Sequence, residues 1–210
     1  MAVAEAWEKI ERWIAQQAPE EDPLPGPCTR RDLDRLYDRI GGRLPKDVEE
    51  SLLRHDGSGF TTVIPPGFTL LGVEDILRNH ATWLHYARED DRNLRAGDKA
   101  FLVPVTELSV TKGLVDIRTG QLGWWDIEQG YMPPDGPLDA SLSAVLEFVG
   151  NVLASPPPWI AILPGDEEWE ATDVDPDFPG TLQWTEELPG GGTVEWDMER
   201  LNREFGFGND

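Results

Sequence analysis

"GLVDIRTGQLGWWDI", residues 113–127, sets two runs of β-branched and aromatic residues on either side of a Thr-Gly pair. Alternating apolar side chains joined by so short a link predict an antiparallel hairpin with "RTG" at its tip. Trp124 and Trp125 are neighbours in it, and consecutive side chains on a strand point to opposite faces. At most one of them is core unless helices or further chain cover the sheet on both sides.

Upstream, "KAFLVPV" (99–105) reads as the preceding strand, with Pro104 placing it at a sheet edge or ending it. A short apolar strand, Phe68 to Leu71, comes before a helix that carries Ile76, Leu77, His80, Trp83, Leu84 and Ala87. Nearer the N-terminus, Trp7, Ile10 and Ile14 recur at helical spacing, and Thr29 followed by Asp32 opens a second helix, with Leu33, Leu36, Tyr37 and Ile40 on one stripe and Gly41 at its end. In "LPKDVEESLLRHDG" (44–57), Pro45 suits a first helical turn and Asp47, Glu49 and Glu50 complement its dipole. His55 then falls near the helix C-terminus, and Gly57 supplies a left-handed cap. The adjacent His55 and Asp56 thus read as a helix end rather than a catalytic pair, and His55→Ala is expected to change stability by at most about 1 kcal/mol.

Downstream, "YMPPDGPL" (131–138) reads as a loop, and Ser141 opens a helix with Leu142, Val145, Leu146, Val149 and Leu153 along one face. Three prolines at 156–158 break the chain. A second hairpin is expected beyond them, with Leu182 and Trp184 facing Val194 and Trp196, and then a short helix from Met198 to Phe205. Helices, an isolated strand, an antiparallel meander and a closing helix make an α+β domain over residues 1–155. Residues 156–210 form an acidic extension whose Trp159, Trp169, Trp184 and Trp196 are too apolar for a free linker, so it is expected to pack on that domain.

Forty acids against eighteen bases give a net charge of −22 over 210 residues, and residues 156–210 alone hold 14 acids and 2 bases. Such a surface repels phosphates and anionic headgroups, which argues against direct nucleic-acid or membrane binding and favours a basic protein partner. The N-terminal "MAVAEAWEKIERW" has no secretory h-region, no run is long enough to span a membrane, and Cys28 is the single cysteine; a cytoplasmic location is expected.

These residues, in this order, resemble the SUKH superfamily, which includes yeast cell-wall-assembly regulators and many bacterial toxin-immunity proteins. The resemblance is carried by Leu44-Pro45, the Asp56-Gly57 helix end, "GFTLLGVEDI" (67–76), "FLVPV" (101–105), "VDIRTGQLGWW" (115–125) and the helix from Leu142, and spans roughly residues 4–155. It implies the α+β fold, a binding role, Leu-Pro and Gly positions that shape helix ends, and an Asp on a strand, here Asp116. The "VDIRTGQ" turn is shorter than the acidic, Gly-rich loop common in that family.

Catalytic constellations are not evident. His80 and His85 lie five apart, which is not a zinc spacing, and no Gly-rich phosphate loop or nucleophile elbow occurs. "DVDPDFPG", with Asp173, Asp175 and Asp177, imitates half a calcium loop, but Phe178 and Trp184 stand where Gly and Glu are needed. No enzyme activity, metal or cofactor is expected. Trp124, Trp125, Asp126, Glu128 and Tyr131 form the candidate protein-binding cluster, an aromatic anchor rimmed by acids; the alternative is that both tryptophans are covered. The reading drawn from this is an immunity protein occluding a basic toxin, for example a nuclease, with a regulatory adaptor of the same fold binding a host protein as the alternative.

Overall fold

The computed structural model describes residues 3–17, 23–86, 94, 97–155, 161–163, 183–187, 193–195, 200 and 203. Five α-helices are present among them: α1 (Val3–Gln17), α2 (Arg30–Ile40), α3 (Lys46–Leu52), α4 (Val73–Tyr86) and α5 (Leu142–Ala154). Strands β1 (Thr69–Leu70), β2 (Leu102–Leu108), β3 (Thr111–Asp116), β4 (Leu122–Asp126) and β5 (Gly130–Met132) form one antiparallel sheet in sequential order. Strands β6 (Ala161–Leu163), β7 (Gln183–Glu187) and β8 (Thr193–Glu195) form a second antiparallel sheet. The α+β class read from the sequence is the class observed.

Local signals explain the helix ends. At α2, the Thr29 hydroxyl accepts from Asp32 N–H while the Asp32 carboxylate accepts from Thr29 N–H, a reciprocal capping box. Gly41 ends the helix at φ +73°. At α5, Ser141 Oγ accepts from Ala144 N–H, and Asp47 Oδ2 reaches across from α3 to accept from Ser143 N–H at 2.8 Å. A residue 96 positions away therefore helps seat the last helix.

The sheet is buried on both faces. Val103, Val105, Val115 and Leu122 share the larger core with Trp7 and Ile10 of α1, Leu33 and Leu36 of α2, and Val145, Leu146 and Val149 of α5. On the other face Leu102, Leu114, Trp125 and Tyr131 pack with Trp83 of α4, whose ring meets that of Trp125 edge-on at 5.6 Å. Pro104 fits because β1 pairs only with Thr106 and Glu107, leaving β2 without a strand neighbour on that side at residue 104 among the described residues. The register shifts between Pro104 and Thr106.

Three expectations need adjusting. Helix α3 ends at Leu52, with Leu53 still right-handed, so His55 and Gly57 lie in the following loop and not on the helix end. The β2 strand starts and ends three residues later than read, because Asp98–Phe101 forms a 3-10 turn. Tyr131 belongs to β5 rather than to a loop.

Beyond residue 155, Trp184 on β7 is 1% exposed and stacks on Phe148 of α5 at 6.2 Å, so this strand contributes a side chain to the larger core. The β7 and β8 hairpin pairs Thr185 with Glu195, Glu186 with Val194 and Glu187 with Thr193. Trp159, Trp169, Leu182, Trp196, the acidic loop with Asp173, Asp175 and Asp177, and most of the expected helix from Met198 to Phe205 lie outside the described residues.

Candidate protein interface

Two loop regions hold the residues singled out by sequence, and they are built differently. The first surrounds His55, Asp56 and Gly57. The His55 ring bonds the Pro25 carbonyl oxygen through Nδ1 at 2.7 Å and the Glu11 carboxylate through Nε2 at 2.8 Å, and it meets the Trp7 ring edge-on at 4.8 Å. Arg54 donates two hydrogen bonds to the same Glu11 carboxylate, each 2.7 Å. Those Arg54 bonds, aided by His55, hold the Glu11 carboxyl below its ordinary pKa against the opposing effect of burial.

Asp56 Oδ1 accepts from Val73 N–H at 2.7 Å and so caps α4 from a separate loop. Burial nevertheless pushes its carboxyl pKa up. Gly57 adopts φ +82°, and a Cβ there would lie 2.5 Å from Gly72 N and 2.7 Å from the Leu70 carbonyl oxygen. Glycine is needed twice over: for the left-handed backbone and for the contact of one main chain on another. Ser58 completes the knot by accepting from Leu70 N–H and donating to the Thr61 carbonyl.

Leu44 and Pro45 are structural in the same sense. Leu44 is buried, Gly120 of the β3–β4 turn sits on Pro45, and Gly42 leaves room for the Ile117 side chain. Asp116 ends β3 and, with Asp98, grips Arg118, whose guanidinium lies 4.4 Å from the Phe101 ring centre. These bonds, led by Arg118, hold the Asp116 carboxyl below its usual range.

The second region is the opposite end of the sheet, where the β2–β3 and β4–β5 turns lie side by side. Its aromatic residues are largely withdrawn. Trp125 is 7% and Tyr131 9% exposed on the α4 side. Burial pushes the Tyr131 phenol up to about 12, so it is neutral at physiological pH. Trp124, on the opposite face, stays half-buried, donating from Nε1 to Asp139 at 3.1 Å with its ring 4.9 Å from Phe68. Glycines make room for this: a Cβ on Gly123 would fall 2.7 Å from the Tyr131 ring, and one on Gly113 would fall 2.9 Å from Trp124. Each aromatic ring lies over a cross-strand glycine, as in aromatic rescue of sheet glycines.

The acids remain outside. Asp126 Oδ1 accepts from Glu128 N–H at 2.8 Å and from Gln129 N–H at 3.3 Å, while Oδ2 accepts from Thr111 Oγ1 at 2.9 Å. The backbone bond from Glu128 is the main reason its carboxyl pKa lies low. Glu128 is exposed beside it. Sequence reading missed the apolar part of this surface: Leu108, Val110 and Ile127 are 37, 50 and 49% exposed. A signal was available in "LSVT" (108–111), where a two-residue link carries neither of the residues such turns favour.

Among the described residues, no group of three or more His, Cys, Asp or Glu is placed to hold a metal ion. His80 is buried, and its pKa is lowered by burial and by nearby Arg39. No helix among them is long and apolar enough to cross a membrane.

No family model matches the chain. It is 38% identical over 85 residues, 39% of its length, to a glucan synthesis regulatory protein of Neurospora crassa, of which this covers 16%. Over 97 residues, 44% of the chain, it is 36% identical to a KNR4/SMI1 homolog of Yarrowia lipolytica, covering 14% of that protein. Over 207 residues, 94% of the chain, it is 31% identical to the cell wall biosynthesis/cell cycle regulator smi1 of Schizosaccharomyces pombe, covering 36% of it. These relatives are named as regulators rather than as enzymes, and the matched stretches span 14 to 36% of their lengths.

Proposed function

We propose that this chain is a SUKH-type binding module of a KNR4/SMI1-like regulator, acting on a protein of its own cell by occupancy rather than by chemistry. The observation that carries this is the alignment of 94% of the chain with the fission yeast regulator, at 31% identity. Local chemistry supports it. The one adjacent His-Asp pair in the sequence is spent on holding α1, α4 and the 55–58 loop together.

The immunity reading shares the acidic surface and the fold class, so charge does not separate the two; the named relatives favour the regulator. A basic partner remains the natural complement of a chain with net charge −22. A reducing, cytoplasmic setting belongs to the same proposal, supported by a single buried Cys28 whose thiol is pushed up to about 11 by burial.

Deleting the gene in its own organism tests the reading. The expected result is altered cell-wall polysaccharide content in cells that remain viable. A deletion tolerated only when a neighbouring gene is removed as well would replace the regulator with an immunity protein. An unchanged wall in viable cells would overturn the regulatory reading.

A further inference from the structure

Among the described residues five large apolar side chains are exposed: Phe60, Phe101, Leu108, Val110 and Ile127. Arg118 covers the Phe101 ring. Leu108, Val110 and Ile127 all belong to one end of the sheet. Leu108 pairs with Thr111, Val110 precedes Thr111, and Thr111 bonds Asp126, the residue before Ile127. Three exposed apolar groups thus stand on two adjoining turns at one end of the sheet, closer in place than the scattered singles normal on a protein surface.

The turn that presents two of them is built against its own preference. Ser109 holds φ +52°, a left-handed backbone that favours glycine, and a β-branched Val110 follows it where hairpin links ordinarily carry Gly or Asn. Lys112 secures this arrangement by donating to the Ser109 carbonyl at 3.2 Å while pairing with Glu107 at 2.5 Å. Lys112 is thereby paired with Glu107, and Asp126 and Glu128 place two carboxylates at the rim. Sites where local rules are broken without a packing reason are where function is expected.

We infer that Leu108, Val110 and Ile127, rimmed by Asp126 and Glu128, dock a partner-protein segment that carries apolar side chains flanked by lysine or arginine. This rests on the regulatory-module reading and names its interface. Charge selects the occupant. A second copy of this chain, at net −22, would bring like charge against the rim, and an anionic lipid surface would be repelled in the same way. The anchors are aliphatic turn residues, and Trp125 and Tyr131 support them from inside.

Two measurements on the full chain test the proposal. In the first, a fluorescent peptide of alternating leucine and lysine is titrated against the native protein, Val110→Ser/Ile127→Ser and Asp126→Asn/Glu128→Gln, with the glutamate version of the peptide as control. The expected result is binding of the lysine peptide alone, weakened about fivefold or more in each double variant. Equal binding by native and variant proteins would overturn the assignment.

In the second, a photo-crosslinking residue is placed at 110, at 127 or, as control, at Lys46, which is 89% exposed at the opposite end of the sheet. Crosslinks in cells are expected from 110 and 127 but not from 46, to peptides bearing lysine or arginine beside apolar residues. Crosslinks to a second copy, to acidic segments, equally from 46, or to nothing would refute the site. The gene deletion reads the regulatory role separately, so a wall phenotype with no crosslinks sinks only this surface.

Discussion

The loop at 55–58 and the paired turns at 108–111 and 126–130 are both short links between regular elements, yet they invert what their residues suggest. The first carries a histidine beside an aspartate, the vocabulary of catalysis, and every one of those groups is consumed by packing: His55 on Glu11 and Pro25, Asp56 on Val73, Gly57 against Gly72. The second carries Ser, Val and Ile, which suggest nothing, and leaves apolar groups in water around a strained serine. Residue chemistry marks a candidate site only after its partners have been counted. At 55–58 those partners lie on separate elements, α1 and α4 among them, and the residues that bind them belong to the fold.

Gly57→Val should produce the largest effect and tests the first half of that contrast. The new side chain would enter at φ +82° with backbone atoms 2.5 to 2.9 Å from its Cβ. A loss of about 4 kcal/mol or more is expected, because neither Gly72 nor the Leu70 carbonyl can move without breaking β1 and the start of α4. Urea unfolding measures it. A loss below about 1 kcal/mol would mean that the loop is not the junction described.

His55→Ala comes next, at about 2 kcal/mol, from two hydrogen bonds and an edge-on contact with Trp7. This revises the figure of about 1 kcal/mol expected from a helix-dipole contact alone, since His55 lies beyond the end of α3. Glu11→Gln sharpens it with pH. The native Glu11 pKa is depressed below 4.5, so its contribution is fully present above that value and is lost as pH falls through the depressed native pKa. The stability gap between Glu11→Gln and the native protein should therefore be widest at neutral pH and close in acid. A gap that persists unchanged at pH 3 would remove the ion pair from the account.

What could be read from sequence follows from how local each signal is. The α2 stripe, the Thr29–Asp32 box and the Gly120 turn lie within a few residues and were legible. His55 finds partners 30 and 44 positions away, and no local pattern announces them. Burial of Trp125 depends on α4 lying across one sheet face, and the half-burial of Trp124 on a glycine at 113 opposite its ring, which is cross-strand information. Strand β5 was missed because its three residues carry no alternation. Of the candidate interface, Asp126 and Glu128 were legible as acids near a turn. Leu108, Val110 and Ile127 were not, since only the strand register brings the two turns together.

Ser109→Gly tests the strained turn and should stabilise the protein by about 0.5–1 kcal/mol. Glycine relieves the left-handed backbone at φ +52° while giving back part of the gain as unfolded-chain entropy. A destabilised variant would show that the serine holds a contact the hairpin needs, and the departure from turn preference would then have a structural reason.

The smallest expected change in stability is the one that decides the second half of the contrast. Val110→Ser/Ile127→Ser removes two side chains that are about half exposed, and exposed substitutions away from caps, cores and ion pairs ordinarily fall within about ±0.5 kcal/mol. The hairpins themselves are held by groups these substitutions leave alone: the Thr111–Asp126 bond, the Lys112–Glu107 pair and the Asp126 bonds to Glu128 and Gln129 N–H. The expectation is therefore an unfolding curve that overlays the native one, alongside weakened binding of the leucine and lysine peptide. His55→Ala should do the reverse, losing stability while the folded fraction binds as before. If the turn variant instead loses more than about 1 kcal/mol, its residues are core reaching outward and the two loops differ in degree only. If His55→Ala weakens binding with its melting unchanged, the contrast fails from the other side, and the His-Asp loop returns as the functional one.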